Sequence, residues 1–317
     1  MRESTLGSML VALSAMLWAT DALVRYPMVS HGIDPVITVF FDHAIGVALL
    51  TPYLLRKFGR ATFQLTRPQW CGLFSIGAGA SAVATVLFTT SFRYVNPSVS
   101  ILLQKLQPVF VILLATTFLG ERPRKSFFIW GPLALFAGLL ISFPSLDFSF
   151  LGNGSLASRG SLFALGAAAI WALATVIGKV MLAEVPPLIV TYWRFVFGLL
   201  ALGALVAFRG TSIGDSFAPL YEPKMLRSFL YVALVPGLLA MILYYQGMVR
   251  APATTTTIME LLFPITAVLL NTVFLSTPLL PLQGAAALIL LFAITQISLA
   301  PAGEMSHASE ESKLPQV

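Results

Sequence analysis

The sequence predicts an all-α integral membrane protein of ten transmembrane helices arranged as two inverted five-helix repeats. Composition comes first: 57% of the 317 residues are hydrophobic and 10% are charged. Soluble domains carry about 25% charged residues, so too little polar surface remains here to coat a soluble globule. Second, ten apolar segments can be marked off, each of about 20 residues, the length an α-helix needs to cross a hydrocarbon core of about 30 Å. Third, the first half echoes in the second: Gly7-Ser8, Ala15, Trp18-Ala19 and Met28 recur at one constant spacing as Gly160-Ser161, Ala168, Trp171-Ala172 and Met181.

Helix one spans about Gly7 to Met28. Arg2 ahead of an apolar run has the look of a leader peptide, but the run continues past Asp21 and Arg25 and its counterpart recurs mid-chain, so it is read as a span. Helix two, about Pro35 to Leu55, holds Asp42 and His43 and ends in the basic loop of Arg56, Lys57, Arg60 and Arg67. Helix three, about Trp70 to Phe92, is rich in Gly, Ala and Ser, the small residues that let lipid-embedded helices approach closely. Helix four begins after Asn96 and carries Gln104, Lys105, Gln107 and Pro108 near its middle; helix five follows Arg122, Arg124 and Lys125 and runs to about Phe143. Residues 1–146 form the first repeat, 147–159 a Ser/Gly-rich linker, and 160–300 the second repeat. Its helices run from about Gly160 to Leu182, Leu188 to Phe208, Arg227 to Gly247, Pro252 to Leu275 and Leu279 to Leu299. Residues 301–317 are polar and acidic, a composition that predicts disorder.

An odd number of crossings per half forces the second half to insert upside down. Inverted repeats of this kind place a substrate near the bilayer midplane, between the repeats, and expose it to each side in turn. With the N-terminus inside, about ten Lys and Arg fall on cytoplasmic segments and about six outside, which places both termini in the cytoplasm of a cell with an inner (plasma) membrane. The formal charge of +6 is thus an orientation signal, and nucleic-acid binding is not indicated. One cysteine, Cys71, and three scattered histidines give neither an intramolecular disulfide nor a metal-ligand cluster, and no cofactor is expected.

Trp18 and Trp171, Asn96-Pro97-Ser98, the run from Pro108-Val109-Phe110 to Gly120-Glu121-Arg122, and Ala251-Pro252-Ala253 leading to Pro264 recur in order along nearly the whole chain. In these features the sequence resembles the bacterial EamA-type members of the drug/metabolite transporter superfamily. That resemblance implies two repeated halves and movement of small metabolites, often amino acids outward, without ATP or a bound cofactor. The chain departs from the pattern at Leu275-Ser276-Thr277-Pro278, where a second Leu-Gly-Glu is common, at Phe263, where a Glu often precedes the proline, and at Asp42-His43, which replaces an Arg.

Placing Lys at the centre of a spanning helix costs about 3 kcal/mol, so midplane charges are functional candidates. Ile101, Gln104, Lys105 and Pro108 share one face of helix four, and Thr256, Thr257, Glu260 and Pro264 one face of helix nine. Across a two-fold these stripes wall a cavity in which Lys105 and Glu260 hold the ends of a zwitterion or pair with each other; repeat geometry makes Gln104 the counterpart of Glu260. Trp18, Trp171 and Tyr245 supply aromatic walls. Pro108 and Pro264 each free a carbonyl and kink their helices. Asp21 and Arg25 are spaced i,i+4 for pairing, and Asp42 and Arg194, at matching repeat positions, form a second candidate pair or gate. Trp193 is read as packing, and Glu121 as a structural or gating charge.

The expected partners are a small-molecule substrate and membrane lipids. Coupling to a proton or ion gradient is left open, with Glu260, Asp42 and Asp21 as possible proton carriers, and so is the oligomeric state. Within transport, a site for cationic or quaternary ammonium compounds is the rival, Glu260 serving as counter-charge and the tryptophans as cation–π partners; Lys105 in the same layer argues against it. A membrane enzyme would need a motif such as HExxH or a nucleophile elbow, and none appears. A non-transporting scaffold would pair the midplane charges with one another and enclose no cavity.

Overall fold

The computed structural model describes residues 2–119, 125–145, 156–209, 218–248, 250–251 and 259–299. Among the described residues the chain is helical and contains no strand. Eight helical runs are long and apolar enough to span a bilayer: Ser4–Ser30, Pro35–Phe63, Arg67–Ser91, Pro97–Leu114, Ser158–Gly178, Pro187–Phe208, Pro223–Tyr244 and Pro281–Leu299. The shorter apolar helices Phe127–Ser142 and Leu262–Phe274 take the fifth and ninth places. The fold is the expected one of ten helices in two inverted five-helix repeats.

Several spans are interrupted. The first consists of α1 (Arg2–Ala19) and α2 (Asp21–Ser30), the second of α3 (Pro35–Phe58). The third joins α4 (Arg67–Phe74) to α5 (Thr85–Ser91) through a π-helical segment, Ser75–Ala84. The fourth is split into α6 (Pro97–Gln104) and α7 (Gln107–Leu119), and the fifth is α8 (Phe127–Ser142). The second half comprises α9 (Leu156–Glu184), α10 (Pro187–Phe208), α11 (Pro223–Val232), a π segment Ala233–Leu239, α12 (Ala240–Met248), α13 (Leu262–Phe274) and α14 (Pro281–Leu299). Helix starts follow local chemistry. Asp34 accepts from the Val36 N–H at 2.8 Å with Pro35 at the first helical position, Thr66 and Gln69 form a reciprocal capping box, and Asn96 accepts from the Ser98 N–H at 2.8 Å ahead of α6.

The packing obeys the repeat. The first span packs on α12 and α13, and α9 packs on the third and fourth spans; α3 pairs with α10, and α8 with α14. Exchanging the two halves maps this set of pairs onto itself. Lipid tails are as apolar as Leu, so close contact and inter-helical hydrogen bonds hold such spans together. Ala15 and Ala19, and their counterparts Ala168 and Ala172, are accordingly fully buried. Gly7 and Gly160 allow close approach at equivalent places in the two halves: a Cβ on Gly7 would lie 2.8 Å from the Ala251 nitrogen, and one on Gly160 2.7 Å from a Val95 methyl.

The two π segments fall at equivalent places and were not anticipated. The facing repeat bonds a carbonyl at each: the Trp171 indole N–H donates to the carbonyl of Ala80, inside the first segment, at 2.9 Å, and the Ser14 hydroxyl to that of Ala240, the residue after the second, at 2.7 Å. Pro236, which has no N–H, sits inside the second segment.

Candidate functional site

The fourth and ninth spans change course at equivalent residues. After Gln104 the chain tightens, Lys105 N–H bonding Leu102 and Leu106 N–H bonding Leu103 at 3.0 and 3.1 Å, before α7 begins. Pro108 offers no donor to the carbonyl of Gln104, four residues earlier. Leu261 is a turn residue ahead of α13, and Pro264 likewise offers no donor to the carbonyl of Glu260. The split spans therefore hold polar side chains and under-used carbonyls where an unbroken helix would present neither.

Between these breaks and the sixth and tenth spans lies a cavity of about 310 Å³, lined by Gln104, Lys105, Gln107, Pro108, Val111, Ile112, Thr175, Glu260, Leu261, Ile294, Ile297 and Ser298. That volume lies at the lower end of the range for small-molecule sites. Both Gln104 and Lys105 reach it, although repeat geometry favoured Gln104. Among the described residues no ion pair joins Lys105 to Glu260. The Lys105 ammonium lies 4.8 Å from the centre of the Phe263 ring, within cation–π range. Gln107 donates to the Thr175 hydroxyl at 3.1 Å across the fourth and sixth spans.

Glu260 accepts a 2.6 Å hydrogen bond from the Tyr244 hydroxyl, and the Tyr244 ring stands 5.1 Å from that of Trp18. Tyr244 was missed by the sequence reading, which selected Tyr245. The signal lay in the repeat: Trp171 packs at 5.4 Å on Phe88, as Trp18 does on Tyr244, and the half whose wall has Gln104 in place of Glu260 has Phe88, without a hydroxyl. Neither Trp18 nor Trp171 is among the described residues that line this cavity. The Trp171 N–H is used by Ala80, and its ring packs on a cluster that includes Ala84, Phe88 and Phe92; its helix reaches the cavity one turn later, at Thr175. Pro264 is buried. Thr256, Thr257 and Glu121 lie outside the described residues, as do the side chain of Tyr245 and residues 301–317.

A second polar cluster ties the first span to the second. Arg25 holds both oxygens of Asp21 at 2.7 and 2.9 Å, and its Nη1 lies 2.8 Å from Asp42 Oδ2. Arg25 is 7% exposed, so a buried guanidinium bridges two partly buried carboxylates. The other Asp42 oxygen is buried and has no hydrogen-bond partner among the described residues. The expected pairing of Asp42 with Arg194 is replaced by this one; Arg194 donates to Ser81 in the third-span π segment at 2.6 Å. His43 is buried, sharing its Nδ1 with the Val39 carbonyl at 2.8 Å, and its ring lies against Phe195 and Gly198.

Comparison with known proteins places this geometry. A protein of Fusobacterium nucleatum named riboflavin transporter ImpX is 29% identical over 297 residues, covering 92% of this chain and 97% of that one. The uncharacterized transporter YwfM of Bacillus subtilis is 26% identical over 314 residues, covering 97% of this chain and 100% of that one. A solved structure described only as a crystal structure of a protein matches with a TM-score of 0.58 at 19% identity, over 92% of this chain and 96% of its own; at that identity the likeness concerns the fold alone. The EamA-like transporter family matches the chain twice, over residues 5–143 and 158–299, and the chain belongs to that family of membrane transporters.

Proposed function

We propose that this transporter moves a small, overall neutral metabolite bearing both charge signs, an amino acid or similar zwitterion, outward across the inner membrane by alternating access. The observation that carries the reading is one cavity holding Lys105 and Glu260 with no ion pair between them. A fixed structural pair would satisfy itself; two opposite charges that are not paired with each other, beside under-used carbonyls, suit an ammonium at Glu260 and a carboxylate at Lys105. Tyr244 donates to one Glu260 oxygen, and we assign the other to the ligand. Residues 1–146 and 160–300 are the two moving repeats, 147–159 joins them, and both termini lie in the cytoplasm. A cation-only site is disfavoured by Lys105.

A second reading takes a neutral planar ring of the riboflavin kind. It is favoured by the name of the Fusobacterium relative and by the Trp18–Tyr244 aromatic pair. Counterflow in proteoliposomes separates the two, using labelled L-amino acids, riboflavin and choline in parallel. The zwitterion reading expects counterflow of amino acids and none of choline; uptake of riboflavin alone would replace it with the second. Glu260→Gln is expected to abolish amino-acid counterflow while membrane expression is unchanged, and undiminished counterflow would remove Glu260 from the site. An imposed pH gradient across the same vesicles reads proton coupling.

A further inference from the structure

We propose that the hydrogen bonds joining the start of α6 to the end of α13 are a gate that seals the cavity at one end and must break for it to open there. The inference rests on the cavity being the transport path. Asn96 does two jobs: its Oδ1 caps α6, and its Nδ2 donates to the carbonyls of Thr277 at 2.8 Å and Pro278 at 3.2 Å in the turn after α13. Asn271 Nδ2 donates to the Ser98 hydroxyl at 3.1 Å. Both links cross from one repeat to the other, and Ser98 and Asn271 are fully buried.

The seal and the cavity divide the fourth span between them. Every residue from Pro97 to Leu103 is buried, whereas Gln104, Lys105 and Gln107 line the cavity. Sealed backbone gives way to open backbone at the Lys105–Leu106 turn. At about 1.5 Å of rise per residue, Gln107 stands roughly 14 Å along the span from Ser98, and the tenth span contributes only its last residues, Ile294 to Ser298. The cavity therefore lies toward the opposite face from the lock.

The lock also holds features that opening would relieve. Asn271 Oδ1 is buried and has no hydrogen-bond partner among the described residues. Ser276, in the turn that presents Thr277 to Asn96, is held at φ +52° without being glycine, a conformation that side chains disfavour. A permanent staple between repeats would be expected to satisfy Asn271 fully and to place glycine at that turn. An incompletely satisfied, strained contact at the seam of two repeats fits a joint made and broken in each cycle.

The test uses the full chain in membrane vesicles with Cys71→Ala and a reporter cysteine, Thr175→Cys, on the cavity wall. A membrane-impermeant maleimide is expected to label the reporter from the cavity's face, cytoplasmic in the proposed orientation, and about ten-fold more slowly from the other. Adding Asn271→Ala should raise labelling from the sealed face several-fold; unchanged labelling there overturns the gate. Separately, Ser98→Cys with Asn271→Cys is oxidised with copper phenanthroline, which joins neighbouring thiols as a disulfide and leaves the lone reporter thiol for the maleimide. The expected result is a cross-link that forms slowly, abolishes reporter labelling from the sealed face, preserves it from the other, and is reversed by reductant. A pair that never reacts, or a cross-linked protein whose sealed-face labelling persists, also overturns the gate. Labelling needs no substrate, so the gate can fail while counterflow succeeds, or the reverse.

Discussion

At the scale of single residues, the site is decided by what each charge touches. Tyr244 aims Glu260 by a 2.6 Å hydrogen bond, and a bond to a charged group is worth about 1.5–3 kcal/mol. Tyr244→Phe is therefore expected to raise KM about ten-fold with kcat nearly unchanged, measured by initial rates of counterflow, while Phe88→Tyr at the equivalent place leaves KM unmoved. Buried Arg25 answers two partly buried carboxylates; replacing it with Leu strands both, at a cost of up to about 3 kcal/mol, to be read as a lowered thermal midpoint in detergent. The Asp21–Arg25 contact was legible in the sequence because i,i+4 spacing on a helix fixes neighbours. Asp42's partner was not. Equivalent residues meet across a two-fold only close to its axis, and there the contact between α3 and α10 is made by Gly46 and Gly198 against Phe195 and His43. Asp42, one turn away, faces Arg25 on the first span instead.

Among the elements, helix starts were readable and helix interiors were less so. Asp34-Pro35 and Asn96-Pro97 announce their helices by a capping side chain followed by a residue that needs no N–H partner. The π segments had no such signal: Ser75 to Ala84 is a run of small residues compatible with any helix, and its widened turn finds its partner in Trp171, which is remote in sequence. The breaks at Lys105 and Leu261 were half legible, since the prolines gave their place but not the turn that precedes them. Close contact between α3 and α10 sets a sharp expectation. A Cβ at Gly198 would lie 2.6 Å from His43 Cδ2 and 3.1 Å from Ser81 Cβ, so Gly198→Ala must part the second, third and seventh spans. A loss of about 1–3 kcal/mol is expected, seen as a lower thermal midpoint, with a smaller loss for Gly46→Ala, where the nearest atom is a Phe195 ring carbon at 3.1 Å.

For the whole molecule, the repeat read from Trp18 and Trp171 in the sequence is the repeat seen in the packing, because positions that must fit the same small-residue contacts in both halves keep the same small residues. What the repeat could not supply was its own imperfection. Tyr244 bonded to Glu260 in one repeat corresponds to Phe88 and Gln104 at the equivalent places of the other. A two-fold that equates the walls in shape but not in chemistry gives the passage a head and a tail. On the proposed reading, a ligand whose ammonium is gripped by Glu260 would keep one heading while the protein rocks around it, entering with one end foremost and departing with the other. Two isomers of identical size and charge, differing only in which end bears the amine relative to their bulk, would then present themselves to the exit in opposite senses, and the carrier would treat them as different cargo.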